Sequence, residues 1–215
     1  MGVDQADIQA MSSRRRAAFV NSLSGYKSAN LIGTVNKAGS TNLAIMSSVV
    51  HLGSSPPLLA LVIRPGGEER HTLDNIISTG FYSVNHVTAA IVEPAHQTAA
   101  RYDRNTCEFS ATGLTPLWRD GFHAPLVAEA GIKLGLSLRE HQVLAINGTH
   151  LVIGEVVLAE IPQDSVLDNG AIDLESAGTV ALSGLDTYHK PTAFKRMAYA
   201  KPDLPPRALV ALQGQ

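Results

Sequence analysis

The chain has 215 residues, of which 45% are hydrophobic and 17% are charged, and this composition predicts one domain with a packed core rather than a disordered chain. A formal net charge of −2 argues against a nucleic-acid partner. The single cysteine, Cys107, excludes an intrachain disulfide and a zinc site built on paired cysteines.

The beginning of the chain predicts a short helical segment followed by strands. Residues 4–23 carry apolar side chains at helical spacing. Strands are predicted at residues 31–35, 42–50, 58–63 and 81–85. Residues 36–40 have the composition of a turn, and the double proline Pro56-Pro57 breaks the sheet pattern because proline cannot donate to a strand ladder.

The connections between these strands contain helix and loop patterns. Residues 64–70 predict a loop, after which Thr72 has the position of a helix N-cap and Gly80 closes a short helix. Residues 88–101 predict a second helix interrupted by Pro94. Residues 103–125 are rich in glycine and proline and predict mainly loop.

The second half is dominated by one hairpin pattern. Residues 136–146 and 151–161 are apolar runs on either side of Asn147-Gly148, and Asn-Gly between such runs favours a tight antiparallel connection. Residues 191–215 form a C-terminal extension that we expect to wrap across a surface or a partner. The chain as a whole is therefore predicted to be mainly β, with an antiparallel barrel and short helices.

Several site motifs are missing. No glycine-rich dinucleotide or phosphate loop is present, and the eight histidines lack the H-x-x-x-H and H-E-x-x-H spacings, so we expect no metal site. No apolar run reaches the roughly 18 residues that a membrane span needs. The opening residues lack the pattern of a secretory signal, so we expect a cytoplasmic protein with no membrane partner.

One region combines small hydroxyl residues, an arginine and a helix start. Ser47 and Ser48 lie in an apolar strand, Arg64 ends the next strand, and Thr72 opens a helix. A helix N-terminus presents unpaired N–H groups, and arginine donates in bidentate fashion, so both favour a phosphate. Half-exposed strand residues and an ordinary helix cap are the alternative interpretation of the same pattern.

A family resemblance covers this region. The sequences NLAIMSSVVHLGSSPPLLALVIRP, RHTLDNI and FYSVN follow each other between residues 42 and 85. They resemble the flavin reductase-like, FMN-binding split-barrel family, whose pattern is Asn-x-Ala-Pro-x-Ser, a double proline, an apolar strand, a basic residue, Thr and Asn-Ile. Ile45 and Met46 stand where the family has proline and often an aromatic residue. Weaker similarity extends the resemblance over residues 25–190, which leaves residues 1–24 as an N-terminal helical segment.

The resemblance implies a split barrel that binds FMN and accepts hydride from NAD(P)H. Ring and ribityl contacts are implied for Asn42, Leu43, Ala44, Ile45 and Met46, with the strand backbone lying along the ring. Phosphate contacts are implied for Ser47, Ser48, Arg64 and Thr72, with Asn75 supporting them. Met46 as a simple core residue is the alternative for that position, and Asn85 and His51 are further candidates. No catalytic acid or base is implied.

The resemblance also implies a homodimer, and it suggests that AHQTAARY (residues 95–102) and the region of Tyr188 line the cleft where the nicotinamide binds. Two other functions stay open at this stage. One is a flavin-binding electron carrier or flavin store without reductase turnover. The other is a barrel of the same kind that binds haem or a pyridoxal-type phosphate.

Overall fold

The computed structural model describes residues 2–66, 71–103 and 106–209. Five α-helices are described: α1 (Gln5–Ala10), α2 (Ser13–Leu23), α3 (His71–Thr79), α4 (Val92–Gln97) and α5 (Glu108–Thr112). The longer strands are β2 (Asn30–Val35), β3 (Thr41–Met46), β4 (Val49–Ser54), β5 (Pro57–Ile63), β6 (Phe81–His86), β8 (Phe122–Val127), β9 (Lys133–Val143) and β10 (His150–Glu160). The shorter strands are β1 (Lys27–Ser28), β7 (Pro116–Arg119), β11 (Ala181–Ser183), β12 (Thr187–His189), β13 (Arg196–Met197) and β14 (Ala208–Leu209).

Seven strands form the central sheet in the order β3-β2-β6-β9-β10-β5-β4, and every neighbouring pair is antiparallel. The mainly β prediction is therefore confirmed. The β9–β10 hairpin predicted from Asn147-Gly148 is also present, and Gly148 adopts a positive φ of 70°. Its connection is longer than the tight turn predicted, because β9 ends at Val143 and β10 begins at His150.

The strand predicted over residues 42–50 is wrong in one respect, because the chain divides it into two strands. β3 ends at Met46 and β4 begins at Val49, and these two strands are the opposite edges of the sheet. Three peptide steps of about 3.8 Å join the two edges. The sheet must therefore curl until its edges meet at this corner, which makes it a barrel.

Ser48 holds this corner closed. Its carbonyl oxygen accepts from the Val62 amide at 3.0 Å, and its hydroxyl donates to the Val62 carbonyl at 2.6 Å. The side-chain pattern of residues 42–50 does not reveal this division, because both halves are mainly apolar.

The β7–β8 hairpin packs across β2 and β6. The Ser83 hydroxyl donates to the Pro125 carbonyl at 2.5 Å, and Asn85 accepts from the Val127 amide at 2.9 Å. Residues 103–125, predicted as mainly loop, therefore contain helix α5 and part of an ordered hairpin. The glycines that suggested a loop serve as a helix end (Gly113, φ 76°) and as a hairpin turn (Gly121, φ 76°).

The core lies on both faces of the sheet. Inside the barrel, Ile32, Tyr82, Leu136 and Val152 pack against helix α3. On the other face, a cluster of buried side chains fills the space below α4 and α5. Its members include Leu31, Leu43, Val87, Ile91, Phe109 and Val127. Alternation along β2 explains this division, since neighbouring strand residues point to opposite faces.

Helix boundaries differ from the predicted ones in two places. Helix α3 begins at His71, so Thr72 lies within its first turn and is not the N-cap. The last four residues of the predicted 64–70 loop, just before His71, lie outside the described residues. The helix predicted over residues 88–101 is a 3₁₀ turn (Ala89–Ile91) followed by the six-residue α4, which contains Pro94. None of the helices described here is long and apolar enough to cross a membrane.

Candidate functional site

A cleft of about 580 Å³ opens between strand β3, the end of β5, the start of α3 and the loop after α4. This volume lies within the range of small-molecule sites. Its lining combines an apolar wall with polar and cationic groups. The lining residues are Asn42, Ala44, Met46, Ile63, Arg64, Gly66, His71, Thr72, Leu73, Thr98, Ala100, Arg101, Tyr102 and Glu108.

Strand β3 supplies one wall of this cleft through every second residue. Asn42, Ala44 and Met46 line it, whereas Leu43 and Ile45 point to the opposite face and pack in the core below α4 and α5. The alternation follows from the strand's two-residue side-chain period. Met46 also packs against the barrel core, so it is a core residue and a cleft residue at once.

The outer backbone edge of β3 is already bonded. The Leu43 amide donates to Glu108 Oε2 at 3.1 Å, and the Ile45 amide donates to Thr98 Oγ1 at 2.9 Å. We expected the β3 backbone to pair with a ligand, but at these two residues the amides are satisfied by α5 and by the loop after α4. The wall that β3 offers is therefore formed mainly by side chains.

A buried hydrogen-bond network sets helix α3 against β2 and β3. The Asn42 side-chain amide donates to Thr72 Oγ1 at 3.0 Å and, more weakly, to Thr34 Oγ1 at 3.4 Å. Asn75 donates to the same Thr34 hydroxyl at 3.1 Å. All four side chains are less than a tenth exposed. The network fixes the start of α3 relative to the β3 wall.

One cationic side chain and several donor groups lie where β5 ends and α3 begins. Arg64 follows β5 with an exposed side chain, and within the described residues its guanidinium has no ion-pair partner. His71 lines the same end of the cleft, and its Nε2 is buried without a hydrogen-bond partner. The first N–H groups of a helix lack intrahelical acceptors. This end of the cleft therefore favours an anion.

Ser47 and Ser48 do not join this group. Both are half-buried at the corner between β3 and β4, and neither is among the lining residues of the cleft. Ser48 Oγ instead donates to Val62, as described above. Asn85 and His51 are also elsewhere: Asn85 is fully buried under the β7–β8 hairpin, and His51 is exposed on β4.

A second, smaller cleft of about 320 Å³ adjoins the first. The two share Asn42, His71 and Glu108, and Asn75 lines only the smaller one. Of the ten candidate residues, five line the larger cleft, and Asn75 lies beside them. The other four are Leu43 and Ile45 on the far face of β3 and the two corner serines.

Several cleft residues were not singled out from the sequence. Glu108 is the clearest, because nothing in its local pattern distinguishes it from a surface residue, and His71 was identified only as part of the helix start. By contrast, the segment of residues 95–102 was suggested as a lining, and Thr98, Ala100, Arg101 and Tyr102 do line the cleft. Tyr188 is not a lining residue but contacts this segment through His96 Nδ1 at 2.9 Å.

No metal centre is visible in the described part of the chain, where no group of three or more His, Cys, Asp or Glu side chains lies close enough to hold an ion. The nearest arrangement is the pair His141 and His150, whose ring nitrogens are 2.8 Å apart. Two ligands fall short of the four that a structural zinc site uses.

A comparison with protein families identifies the family of the chain. Residues 23–175 match the model of the flavin reductase like domain family. The chain belongs to this family. The match includes the whole stretch from β3 to α3 that forms the wall and the cationic end of the cleft.

Solved structures show the same fold. The chain superimposes with a TM-score of 0.90 on a protein from Shewanella frigidimarina assigned as a flavin reductase with a split barrel domain, at 52% identity, covering 93% of this chain and 100% of that one. Nitrilotriacetate monooxygenase component B of Bacillus cereus gives a TM-score of 0.79 at 22% identity, with coverage of 90% and 96%. An FMN-binding protein of Thermus thermophilus gives 0.64 at 15% identity, with coverage of 79% and 90%. The split-barrel prediction is thus confirmed.

Proposed function

We propose that this protein binds FMN in the 580 Å³ cleft and catalyses hydride transfer from NAD(P)H to the flavin. One observation carries the proposal: the apolar wall of strand β3 lies next to the start of helix α3, where Arg64 also lies. All of these elements belong to the residues that match the family. Membership of the flavin reductase like family supports a flavin ligand. The name of the Thermus protein, which binds FMN on the same fold, supports FMN in particular.

The donor set suits a flavin phosphate. Arg64 can donate in bidentate fashion, the first turn of α3 presents backbone N–H groups, and Thr72 adds a hydroxyl. His71 Nε2 is a buried donor or acceptor without a partner, which by itself costs about 1–3 kcal/mol. A small rotation of this ring toward an anion in the cleft would relieve that cost. Ser47 and Ser48 would reach the phosphate only if the β3–β4 corner moved.

The apolar wall suits an aromatic ring system. Ala44, Met46 and Ile63 form it, and Asn42 adds a polar group at its α3 end. Bound FMN would supply the hydride-accepting ring, and the protein would supply binding, orientation and exclusion of water. No acid or base is required of the chain itself. Glu108 and Thr98 contribute by holding the wall in place through the Leu43 and Ile45 amides.

We propose that the nicotinamide donor binds on the side of the cleft formed by residues 95–102. Arg101 is exposed there and Tyr102 is held by a hydrogen bond from Gln97 Nε2 at 3.0 Å. A cation and an aromatic face suit a nucleotide phosphate and a planar ring respectively.

We further propose a cytoplasmic homodimer that has no nucleic-acid or membrane partner.

Anaerobic absorbance spectroscopy tests the function. Purified protein should copurify with FMN or bind it on titration, and addition of NADH or NADPH should bleach flavin absorbance near ~450 nm, a property of the cofactor itself. Yellow protein that is not bleached by either nucleotide would instead indicate an electron carrier or flavin store. Protein with no affinity for FMN, or with the spectrum of haem or a pyridoxal phosphate, would reject the proposal.

A further inference from the structure

The residues after β12 form a basic, aromatic arm, which we define as residues 190–209. It carries five lysines and arginines against one aspartate, whereas residues 1–189 carry twelve basic and eighteen acidic residues. The arm is therefore net positive and the rest of the molecule net negative. Opposite charges of this kind favour an arm that lies on the surface of the protein itself or of a second copy.

The arm does not bury its own apolar side chains. Phe194 is 95% exposed and Tyr199 is 92% exposed, while Leu204 is 61% and Met197 is 45% exposed. Its only regular structure within the described residues is the two-stranded β13–β14 ribbon, in which Arg196 pairs with Leu209. Isolated two-stranded hairpins are marginal in water. Four exposed apolar side chains in and beside such a ribbon indicate a missing surface.

A matching surface lies in the segment just before the arm. We call residues 163–186 the acidic segment: it holds five carboxylates and no lysine or arginine. It also leaves three apolar side chains about half exposed, Val166 (49%), Leu174 (46%) and Leu185 (45%). The acidic segment thus has the charge opposite to that of the arm and exposed apolar side chains of its own.

We propose that the arm of one copy packs on the acidic segment of a second copy, and that the exchange is reciprocal. Glu175 Oε2 accepts from the Ala193 amide at 2.9 Å, so the arm leaves the body beside the surface that it would need. In the single chain it then extends away and leaves Phe194 and Tyr199 uncovered. A two-fold pair satisfies both arms at once, because each chain offers one arm and one acidic segment.

This inference does not depend on flavin chemistry. It assigns an interface and a segment, so a protein without reductase activity could still exchange arms. A homodimer joined only through another surface would leave the flavin proposal intact and refute the arm exchange.

Cysteine cross-linking between two differently marked copies tests the exchange. In a Cys107→Ser background, one copy carries Phe194→Cys or Tyr199→Cys, and the other carries Val166→Cys, Leu174→Cys or Leu185→Cys. Mild oxidation of the mixture should give a disulfide-linked pair at one or more of these combinations. Val50→Cys, 53% exposed on β4 and outside the acidic segment, is the control and should give none.

The same substitutions placed in one chain separate exchange from folding back. A chain that carries both an arm cysteine and an acidic-segment cysteine should form covalent dimers. A disulfide confined to the monomer would show that the arm covers its own segment and would overturn the proposal. Absence of any cross-link at all six combinations would overturn it equally.

Charge reversal gives an independent measurement on the full-length protein. The triple change Lys195→Glu, Arg196→Glu and Lys201→Glu should raise the dimer dissociation constant, measured by light scattering and sedimentation, by roughly tenfold or more. The matched control reverses Arg14, Arg15 and Arg16 on α2 and alters net charge equally. An equal effect of both triples, or no effect of the arm triple, would contradict arm exchange.

Discussion

Arg64 and Thr72 approach the cleft from different elements, and they make different contributions. Arg64 follows β5, is exposed, and has no ion-pair partner among the described residues. Thr72 is only 8% exposed and already accepts a hydrogen bond from Asn42. Arg64 is therefore free to contact a ligand in the cleft as far as the described residues show, whereas Thr72 also has a structural role.

We expect Arg64→Ala to weaken FMN binding by on the order of 2 kcal/mol, because a charge-assisted contact to the phosphate is lost. The free energy of unfolding without ligand should stay close to the wild-type value, since the side chain is exposed. Fluorescence titration measures the affinity. Arg139→Ala, in which the lost partner is Glu155 on the β9–β10 hairpin, is the control. Unchanged affinity in Arg64→Ala would remove this residue from the site.

For Thr72→Val we expect a loss of about 1 kcal/mol in the free energy of unfolding, because the Asn42 amide loses its acceptor. FMN binding should weaken as well if the hydroxyl reaches the phosphate. Thr72→Ser keeps the hydroxyl and should preserve both properties. If stability falls while affinity is unchanged, Thr72 holds α3 in place and is not a ligand.

Strand β2 approaches the β7–β8 hairpin closely where the two cross. A side chain at Gly33 would overlap the Pro125 carbonyl oxygen and the Ser83 hydroxyl. Both groups are fixed, since they hydrogen-bond to each other across the crossing. Glycine is therefore required here by close approach between strands.

Gly33→Ala should lower the free energy of unfolding by about 1–3 kcal/mol, the usual cost of overpacking a core. Chemical denaturation measures this change. Gly53→Ala is a suitable comparison, because its added carbon would meet only the Pro56 carbonyl at 3.5 Å, an ordinary contact. Equal stability of the two variants would show that the hairpin can move away from β2.

Strand β3 illustrates how an edge is protected and used at the same time. Its outward amides at Leu43 and Ile45 are bonded to Glu108 and Thr98, which removes the open edge that would otherwise favour aggregation. The face of β3 that carries Asn42, Ala44 and Met46 remains available as the cleft wall. The local sequence reveals the wall through its alternation, but it does not reveal the two side chains that cover the edge.

At the scale of the whole molecule, His86 couples stability to pH. Burial lowers its pKa to about 4 from an ordinary value of 6.5, and its Nδ1 lies 3.2 Å from the Thr179 hydroxyl. Between these two pH values the unfolded chain binds a proton that the folded protein does not. The stability contributed by neutral His86 is therefore fully present above pH 6.5 and is lost as the pH falls toward 4.

We expect the free energy of unfolding to fall by on the order of 2 kcal/mol from this group between pH 7 and pH 4. His86→Asn removes the titrating ring and should flatten the profile in this interval. Urea denaturation at several pH values measures both profiles. Parallel profiles for the two proteins would show that other groups cause the acid sensitivity.

The sequence by itself determined the local elements and the family. The β9–β10 hairpin, the strands β2, β5 and β6, and the pattern from Asn42 to Ile76 could all be found from alternation, turn residues and motif order, because these depend on neighbours in the chain. The same information grouped Ala44, Met46, Arg64 and Thr72, which do line the cleft, with Leu43, Ile45, Ser47 and Ser48, which do not.

Only the tertiary structure decided how these elements meet. It divided residues 42–50 at Ser47-Ser48, moved β4 to the far edge of the sheet, and brought Glu108 and Thr98 onto β3. It also placed His71 at the cationic end of the cleft. These contacts join residues distant in sequence, and they are set by curling of the sheet and by satisfaction of its edge amides. Neither effect leaves a local pattern, so they become visible only when the barrel is closed.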